Sequence, residues 1–223
     1  MFVNVVGDDY SNQLCNSCKQ DVSVCRFLTA RLLPSDPVAF FEPLDESNER
    51  FDELRRAPEW SFSAAEFPRL EVLMRGLENL IARHPATTFI GAHVGCYAEN
   101  LAYVGGMLDR LPNYYVDIGA RIAELGRQPN TARRFFLRYA DRILFGTDAP
   151  PDLRSYRIYY RFLETRDDHF PYWRHGDQPW QGRWFIHGLG LPDAVLERIY
   201  YSNSQRVLNV GRPRSSGATS ARS

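Results

Sequence analysis

The stretch DRILFGTDAPP, residues 141–151, joins a short apolar run to a single carboxylate. The letters ILF predict a buried strand, and the following GT ends this strand just before Asp148. A carboxylate in this position needs a partner that offsets the cost of burying its charge. Because two prolines follow almost at once, Asp148 is poorly placed to cap the next helix. We therefore interpret Asp148 as a functional residue and look for its partner elsewhere in the chain.

The same pattern of an apolar strand with a polar end occurs twice upstream, in TTFIGAHVG and in NYYVDIGA. Phe89, Tyr115 and Ile143 begin or lie within these strands and are about 26 and about 28 residues apart, which is the length of a strand plus a crossover helix. The strands are apolar on both faces, as in a buried parallel sheet. The sequence therefore predicts an α/β fold with about four parallel strands, one of them a weak strand between Val22 and Leu33.

The segments between the strands carry helical signals. The clearest is FPRLEVLMRGLENLIARHP, in which apolar residues recur at a spacing of three and four and a proline ends the helix. The apolar positions are Leu70, Leu73, Leu77, Leu80 and Ile81. We also predict helices in NLAYVGGMLDRLP, TARRFFLRYA, SYRIYYRFLET and LPDAVLERIYYSNSQRVL.

Composition and charge limit the classes of binding partner that the chain could have. The chain has 223 residues, with 27 Lys+Arg and 27 Asp+Glu, so it has no net charge that would attract nucleic acid or an anionic membrane. It has no apolar run near the ~20 residues of a membrane span and no visible secretory signal. We expect a cytoplasmic protein that acts on a small-molecule substrate. Cys15 and Cys18 could indicate zinc or redox chemistry, but their surroundings favour reduced thiols.

Three strands carry one ionisable residue each near their C-terminal ends: His93, Asp117 and Asp148. Functional sites of parallel α/β folds, and of β/α barrels above all, lie at that end of the strands. For His93, a structural and a functional role are equally compatible with its small neighbours. Asp117 is more typical of a structural or supporting residue. The chain contains no nucleophile elbow, P-loop or dinucleotide fingerprint.

The order and spacing of FIGAHVG, YVDIGARIAELGRQP, DRILFGTDAPP and QGRW resemble the amidohydrolase-related metal-dependent hydrolases of the amidohydrolase-2 type. This family includes decarboxylases related to aminocarboxymuconate-semialdehyde decarboxylase. The resemblance runs from about Asp36 to Leu208 and implies a partial (β/α)8 TIM barrel, about its C-terminal half. It implies a metal-dependent hydrolase acting on an amide, lactone or related carbonyl bond. The alternatives are a metal-dependent decarboxylase and a catalytically inactive truncated fragment.

The resemblance also implies roles for individual residues. Asp148 would bind a divalent metal, zinc or manganese, or orient and deprotonate the metal-bound water. His93 would lie beside the metal as a general acid/base or electrostatic stabiliser. Arg121 and Arg127 could hold a substrate carboxylate by paired hydrogen bonds. Ion pairs with Glu124 or with the following helix are an equally good account of the two arginines.

The chain departs from the family pattern upstream. No HxH pair occurs, and Leu33 stands where the family has a further metal-binding histidine. We therefore expect an atypical, weakly structured leader over residues 1–33, a partial barrel over 34–210 and a disordered tail over 211–223, the product of a truncated or frame-shifted reading frame. Half of a barrel would expose two strand edges, which favours pairing with another copy. A homo-oligomer is one way to cover them.

Overall fold

The computed structural model describes residues 38–65, 67–173, 182 and 184–208. Within these ranges, the chain forms strands β1 (Phe89–Gly91), β2 (Tyr114–Asp117) and β3 (Ile143–Leu144). The helices are α1 (Phe51–Arg56), α2 (Leu70–Arg83), α3 (Leu101–Arg110), α4 (Ile122–Gly126), α5 (Pro129–Arg138), α6 (Leu153–Glu164), α7 (Asp193–Glu197) and α8 (Asn203–Leu208). Short 3-10 segments lie at Val38–Phe41, Pro58–Trp60 and Ala140–Arg142, and a π-helical segment, Arg198–Ser202, joins α7 to α8.

The three strands form one parallel sheet in the order β1-β2-β3. Phe89 pairs with Tyr114 across the first ladder, and Val116 pairs with Ile143 across the second. This confirms the predicted α/β fold with a parallel sheet, and strands form at all three predicted positions around residues 89, 115 and 143. Each strand is shorter than its apolar run, because the residues that follow turn away to form the loops described below.

Several predictions fall on residues that lie outside the described ranges. These are the weak strand Val22–Leu33, the cysteine pair Cys15 and Cys18, the leader over 1–33 and the tail over 211–223.

Helix α2 shows how the sequence pattern positions the helices. Leu70, Leu73 and Ile81 are buried, as their spacing predicts, whereas Leu77 and Leu80 are only partly buried at the margin of the core. Further core side chains come from the three strands, from helices α3, α4, α5, α6 and α7, and from the loops and the π-helical segment. Among the described helices, none is both long and apolar enough to cross a membrane.

The outer edge of β3 is covered by the C-terminal part of the chain. The Phe145 backbone N–H donates to the Ile199 carbonyl at 3.1 Å, within the π-helical segment. The side-chain amide of Asn203 donates to the carbonyls of Ile143 and Ala140, both at 2.7 Å. A π-helical turn shifts the hydrogen bonds within a helix and so provides a carbonyl for the strand. The edge of β3 thus differs from the expectation of an exposed edge, because its partners lie within the chain.

Candidate functional site

The loops that leave the three strands meet at the C-terminal edge of the sheet. Strand β1 leads into His93, strand β2 leads through Asp117 to Ala120, and strand β3 leads to Asp148. In this arrangement, Asp148 Oδ2 lies 3.9 Å from His93 Nε2. The two residues that the sequence suggested as catalytic are therefore neighbours, although 55 residues separate them in the chain.

His93 lies in a helical turn, Ala92–Gly95, with left-handed backbone geometry. His93 has φ 57° and ψ 44°, Val94 has φ 58° and ψ 40°, and φ stays positive through Gly95 and Cys96. Outside glycine, this conformation costs roughly 1–2 kcal/mol per residue, and it is rare for a β-branched residue such as Val94. Such a turn persists only where tertiary contacts hold it.

Asp117 provides one of those contacts. Its Oδ1 atom accepts hydrogen bonds from the backbone N–H of His93 at 3.0 Å and from that of Gly119 at 2.9 Å. One carboxylate oxygen therefore joins the loop after β1 to the loop after β2. This agrees with the supporting role that the sequence favoured for Asp117.

The imidazole of His93 is buried and has a defined orientation. Its Nδ1 atom lies 2.8 Å from the carbonyl oxygen of Gly119. Because a carbonyl only accepts, Nδ1 carries the proton and donates, and in the neutral ring Nε2 then has the lone pair. Nε2 faces Asp148 across a gap that is too long for a direct hydrogen bond. The gap leaves room for a third atom that contacts both Nε2 and Oδ2.

Asp148 also has a left-handed backbone, with φ 55°, and its side chain is 44% exposed. A Cβ atom at Gly119 would come within 3.1 Å of the Asp148 Cβ, so the close approach of the two loops favours glycine there. Helix α6 is capped by Asp152, whose Oδ2 accepts from the Ser155 backbone N–H at 3.2 Å. Asp148 is thus not the helix cap, and its carboxylate points towards His93.

Backbone strain concentrates around this pair. Among the described residues, six non-glycine residues have positive φ, and five of them belong to the three loops of the site. The six are His93, Val94, Cys96, Ala120, Asp148 and His169. Strained backbone of this kind clusters at functional sites, because only a well-determined surrounding structure can maintain it.

Arg121 and Arg127 both have acidic neighbours. Arg121 is 3% exposed, its Nη1 donates to the Ala120 carbonyl at 2.7 Å, and it lies 3.9 Å from Glu124. Arg127 is more exposed and pairs with Glu49 at 2.9 Å. A substrate carboxylate would have to compete with these partners.

Sequence reasoning missed a buried charged cluster next to Arg121. The Arg50 side chain is fully buried between Glu53, at 3.0 Å, and Glu124. The guanidinium groups of Arg50 and Arg127 lie over the Trp184 ring, 4.9 Å and 4.3 Å from its centroid. The segment NERFDELRR has the composition of an ordinary exposed helix, so nothing in it signals this burial. The motif QGRW was the available signal, because the ring of its tryptophan contacts both guanidinium groups.

A comparison with known families bears on this geometry. The family model described as Amidohydrolase matches residues 39–210, more than half of the chain. The chain belongs to the amidohydrolase family. The match covers all three strands and the whole of the site in this amidohydrolase. No significant match was found among curated proteins or among solved structures.

Amidohydrolases typically bind a divalent metal. Whether this chain could hold one depends on the ligand atoms around Asp148. Asp148 is the carboxylate that would hold the metal, and its Oδ2 atom lies 3.9 Å from His93 Nε2, whose lone pair is then free to accept a proton. Within the described ranges, however, no group of three or more His, Cys, Asp or Glu side chains could hold a metal. The described part of the site therefore supplies fewer than the three protein ligands of a typical catalytic zinc.

Proposed function

We propose that this amidohydrolase is a metal-dependent hydrolase that cleaves an amide, lactone or related carbonyl bond of a small molecule. The observation that carries the proposal is the approach of His93 Nε2 to Asp148 Oδ2 at 3.9 Å, with Nδ1 already engaged by Gly119. This arrangement leaves one imidazole nitrogen and one carboxylate facing a common position at the C-terminal edge of a parallel sheet. That edge is where the functional sites of such folds lie.

In this proposal, Asp148 is the metal ligand and His93 is the general acid/base. A bound zinc or manganese ion would polarise the carbonyl and make water a better nucleophile at neutral pH. His93 accepts a proton at Nε2 and returns it to the leaving group, while Gly119 keeps the ring oriented. The negative charge of Asp148 stabilises the imidazolium that forms. Arg121 and Arg127 are the candidate groups for a substrate carboxylate.

We also propose that the three-stranded sheet is part of a (β/α)8 barrel and corresponds to about its C-terminal half, with residues 34–210 as the barrel segment. The parallel order β1-β2-β3, the helices between the strands and the position of the polar residues support this.

A decarboxylase is the second candidate. The observation in its favour is the presence of Arg121 directly before and Arg127 directly after helix α4, because two guanidinium groups suit a substrate that carries a carboxylate. A hydrolase and a decarboxylase would use the same His93 and Asp148. The products separate them, since only the decarboxylase releases carbon dioxide from an unsaturated or aromatic acid.

The metal content of the purified chain tests the proposal. We expect about one zinc or manganese per chain after purification with metal in the buffer, and strongly reduced content in Asp148→Asn. Asp152→Asn is the matched control, because it removes the same charge four residues away and asparagine still caps a helix. Less than about a tenth of an equivalent in the unmodified chain would favour the inactive alternative. Equal affinity in the unmodified chain and in Asp148→Asn would refute the assignment of Asp148 as a ligand.

A further inference from the structure

We propose that Tyr159 is a positioning residue that sets the distance between His93 and Asp148. The inference rests on the proposed function of that pair. The hydrogen bonds of Tyr159 go to backbone atoms of two loops and not to either of these side chains. Tyr159 lies on helix α6 and is buried, and its ring packs edge-on against Phe145 at a centroid distance of 5.9 Å. Because Phe145 directly follows β3, this packing fixes the ring relative to the end of that strand.

The Tyr159 hydroxyl joins the two loops that carry the site. It accepts a hydrogen bond from the Ala120 backbone N–H at 2.9 Å and donates one to the Thr147 carbonyl at 3.2 Å. The Ala120 N–H also lies 3.2 Å from the same Thr147 carbonyl. The loops after β2 and β3 are therefore linked twice, by this backbone hydrogen bond and through the phenol oxygen.

Each end of this link is one residue from a functional contact. Ala120 directly follows Gly119, whose carbonyl accepts from His93 Nδ1. Thr147 directly precedes Asp148. A shift of either loop would therefore change the gap between Nε2 and Oδ2.

The backbone geometry explains why the link is needed. Ala120 has φ 51° and Asp148 has φ 55°, so both residues on the two sides of the link are strained. Residues in such conformations relax unless surrounding contacts determine their position. Burial raises the pKa of the Tyr159 phenol, so its hydroxyl stays protonated at neutral pH and can donate and accept at the same time.

The test compares Tyr159→Phe with Tyr160→Phe in the full chain. Tyr160 is the matched control, because it is the next residue of α6, stacks on the same Phe145 and is 41% exposed. The first readout is the pair of ring nitrogen resonances of His93 without metal, assigned with His93→Gln. The second readout is zinc affinity by competition with a chelating dye.

We expect Tyr159→Phe to move the His93 resonances and to weaken zinc binding roughly 10- to 100-fold, the size typical of residues that orient metal ligands. Tyr160→Phe should leave both unchanged. Unchanged His93 resonances and zinc affinity in a folded Tyr159→Phe would overturn the inference. If the unmodified chain binds no zinc, the metal proposal fails on its own, and the His93 resonances still decide the role of Tyr159.

Tyr159→Phe removes a contact that holds a strained loop and could prevent folding. A second variant therefore keeps the test decisive. Glycine adopts left-handed geometry without a Cβ penalty, so Ala120→Gly removes the strain that the link opposes. If Tyr159→Phe alone does not fold, the double variant Ala120→Gly/Tyr159→Phe is measured against Ala120→Gly alone. The same change in His93 resonances is expected, and its absence would refute the positioning role.

Discussion

Removing the hydroxyl of Tyr114 is expected to stabilise the protein, against the usual direction for a buried residue. Tyr114 lies at the start of β2 and is fully buried beneath the left-handed turn that carries His93. A Cβ atom at Gly91 would lie 2.2 Å from its hydroxyl oxygen, and one at Gly95 would lie 2.1 Å from it. The hydroxyl therefore occupies the space that these two glycines leave open. It has no hydrogen-bond partner among the described residues.

The magnitude follows from these contacts. A buried polar group without a partner costs roughly 1–3 kcal/mol of folding free energy. Phenylalanine keeps the ring and its packing and loses only the contacts of one oxygen atom, each worth about 0.1–0.2 kcal/mol. We expect Tyr114→Phe to raise the free energy of unfolding by about 1–2 kcal/mol. For a chain of this length, the melting temperature should rise by roughly 2–4 °C for each kcal/mol.

Urea denaturation followed by circular dichroism measures this effect, with the slope m checked for constancy so that the change in midpoint reports stability. Tyr159→Phe is the comparison, because it deletes the same atom at a site with two partners. Loss of the Tyr159 hydroxyl leaves the Ala120 N–H and the Thr147 carbonyl with fewer hydrogen bonds. Tyr159→Phe should therefore lower the free energy of unfolding by about 1–3 kcal/mol.

The opposite signs of the two variants are the central expectation. A loss of stability of more than about 0.5 kcal/mol in Tyr114→Phe would refute the reasoning, because it would mean that this hydroxyl is satisfied in the folded protein.

Two further predictions concern the edge of the sheet and the response to alkali. Asn203→Ala should lower the free energy of unfolding, measured in urea, by roughly 1–3 kcal/mol, because the carbonyls of Ala140 and Ile143 lose a buried donor. The control Ser204→Ala should change it by less than about 0.5 kcal/mol. Equal effects of the two variants would contradict the role of Asn203. Burial raises the pKa of Tyr114 and Tyr159 above the ordinary value of about 10. Above that pH the unfolded chain releases protons that the folded chain keeps, so the free energy of unfolding falls as the pH rises. The free energy of unfolding should therefore be lower at about pH 11 than at about pH 8. If a Tyr114→Phe/Tyr159→Phe variant loses as much stability between these two pH values as the unmodified chain, the two phenols are not the cause.

The repeat of strands and helices was predictable from local pattern. The apolar runs around Phe89, Tyr115 and Ile143 have the spacing of a parallel α/β unit, and helix α2 follows its apolar period. The family resemblance implied that His93 lies beside the metal position of Asp148, and the structure brings these two side chains to 3.9 Å. The family resemblance rests on the same motifs, and the match over residues 39–210 confirms it.

The buried charges could not be predicted, because they look like exposed ones in the sequence. Arg50 and Glu53 are spaced three apart on what has the composition of a solvated helix. Their burial depends on Glu124 and Trp184, which come from segments far away in the chain. Only the packing of these segments decides that the charges pair with each other rather than with water.

Local pattern in the sequence was enough to predict the order of strands and helices, the family and the two polar residues at the strand ends. The geometry of the site depends instead on contacts between distant segments. His93 and Val94 adopt a left-handed backbone that their own preferences oppose, and the contacts that hold it come from Asp117, Gly119 and, through Ala120, from Tyr159. Local propensity favours the relaxed conformation of each loop. The strained one exists only when several loops are brought together and held by shared hydrogen bonds.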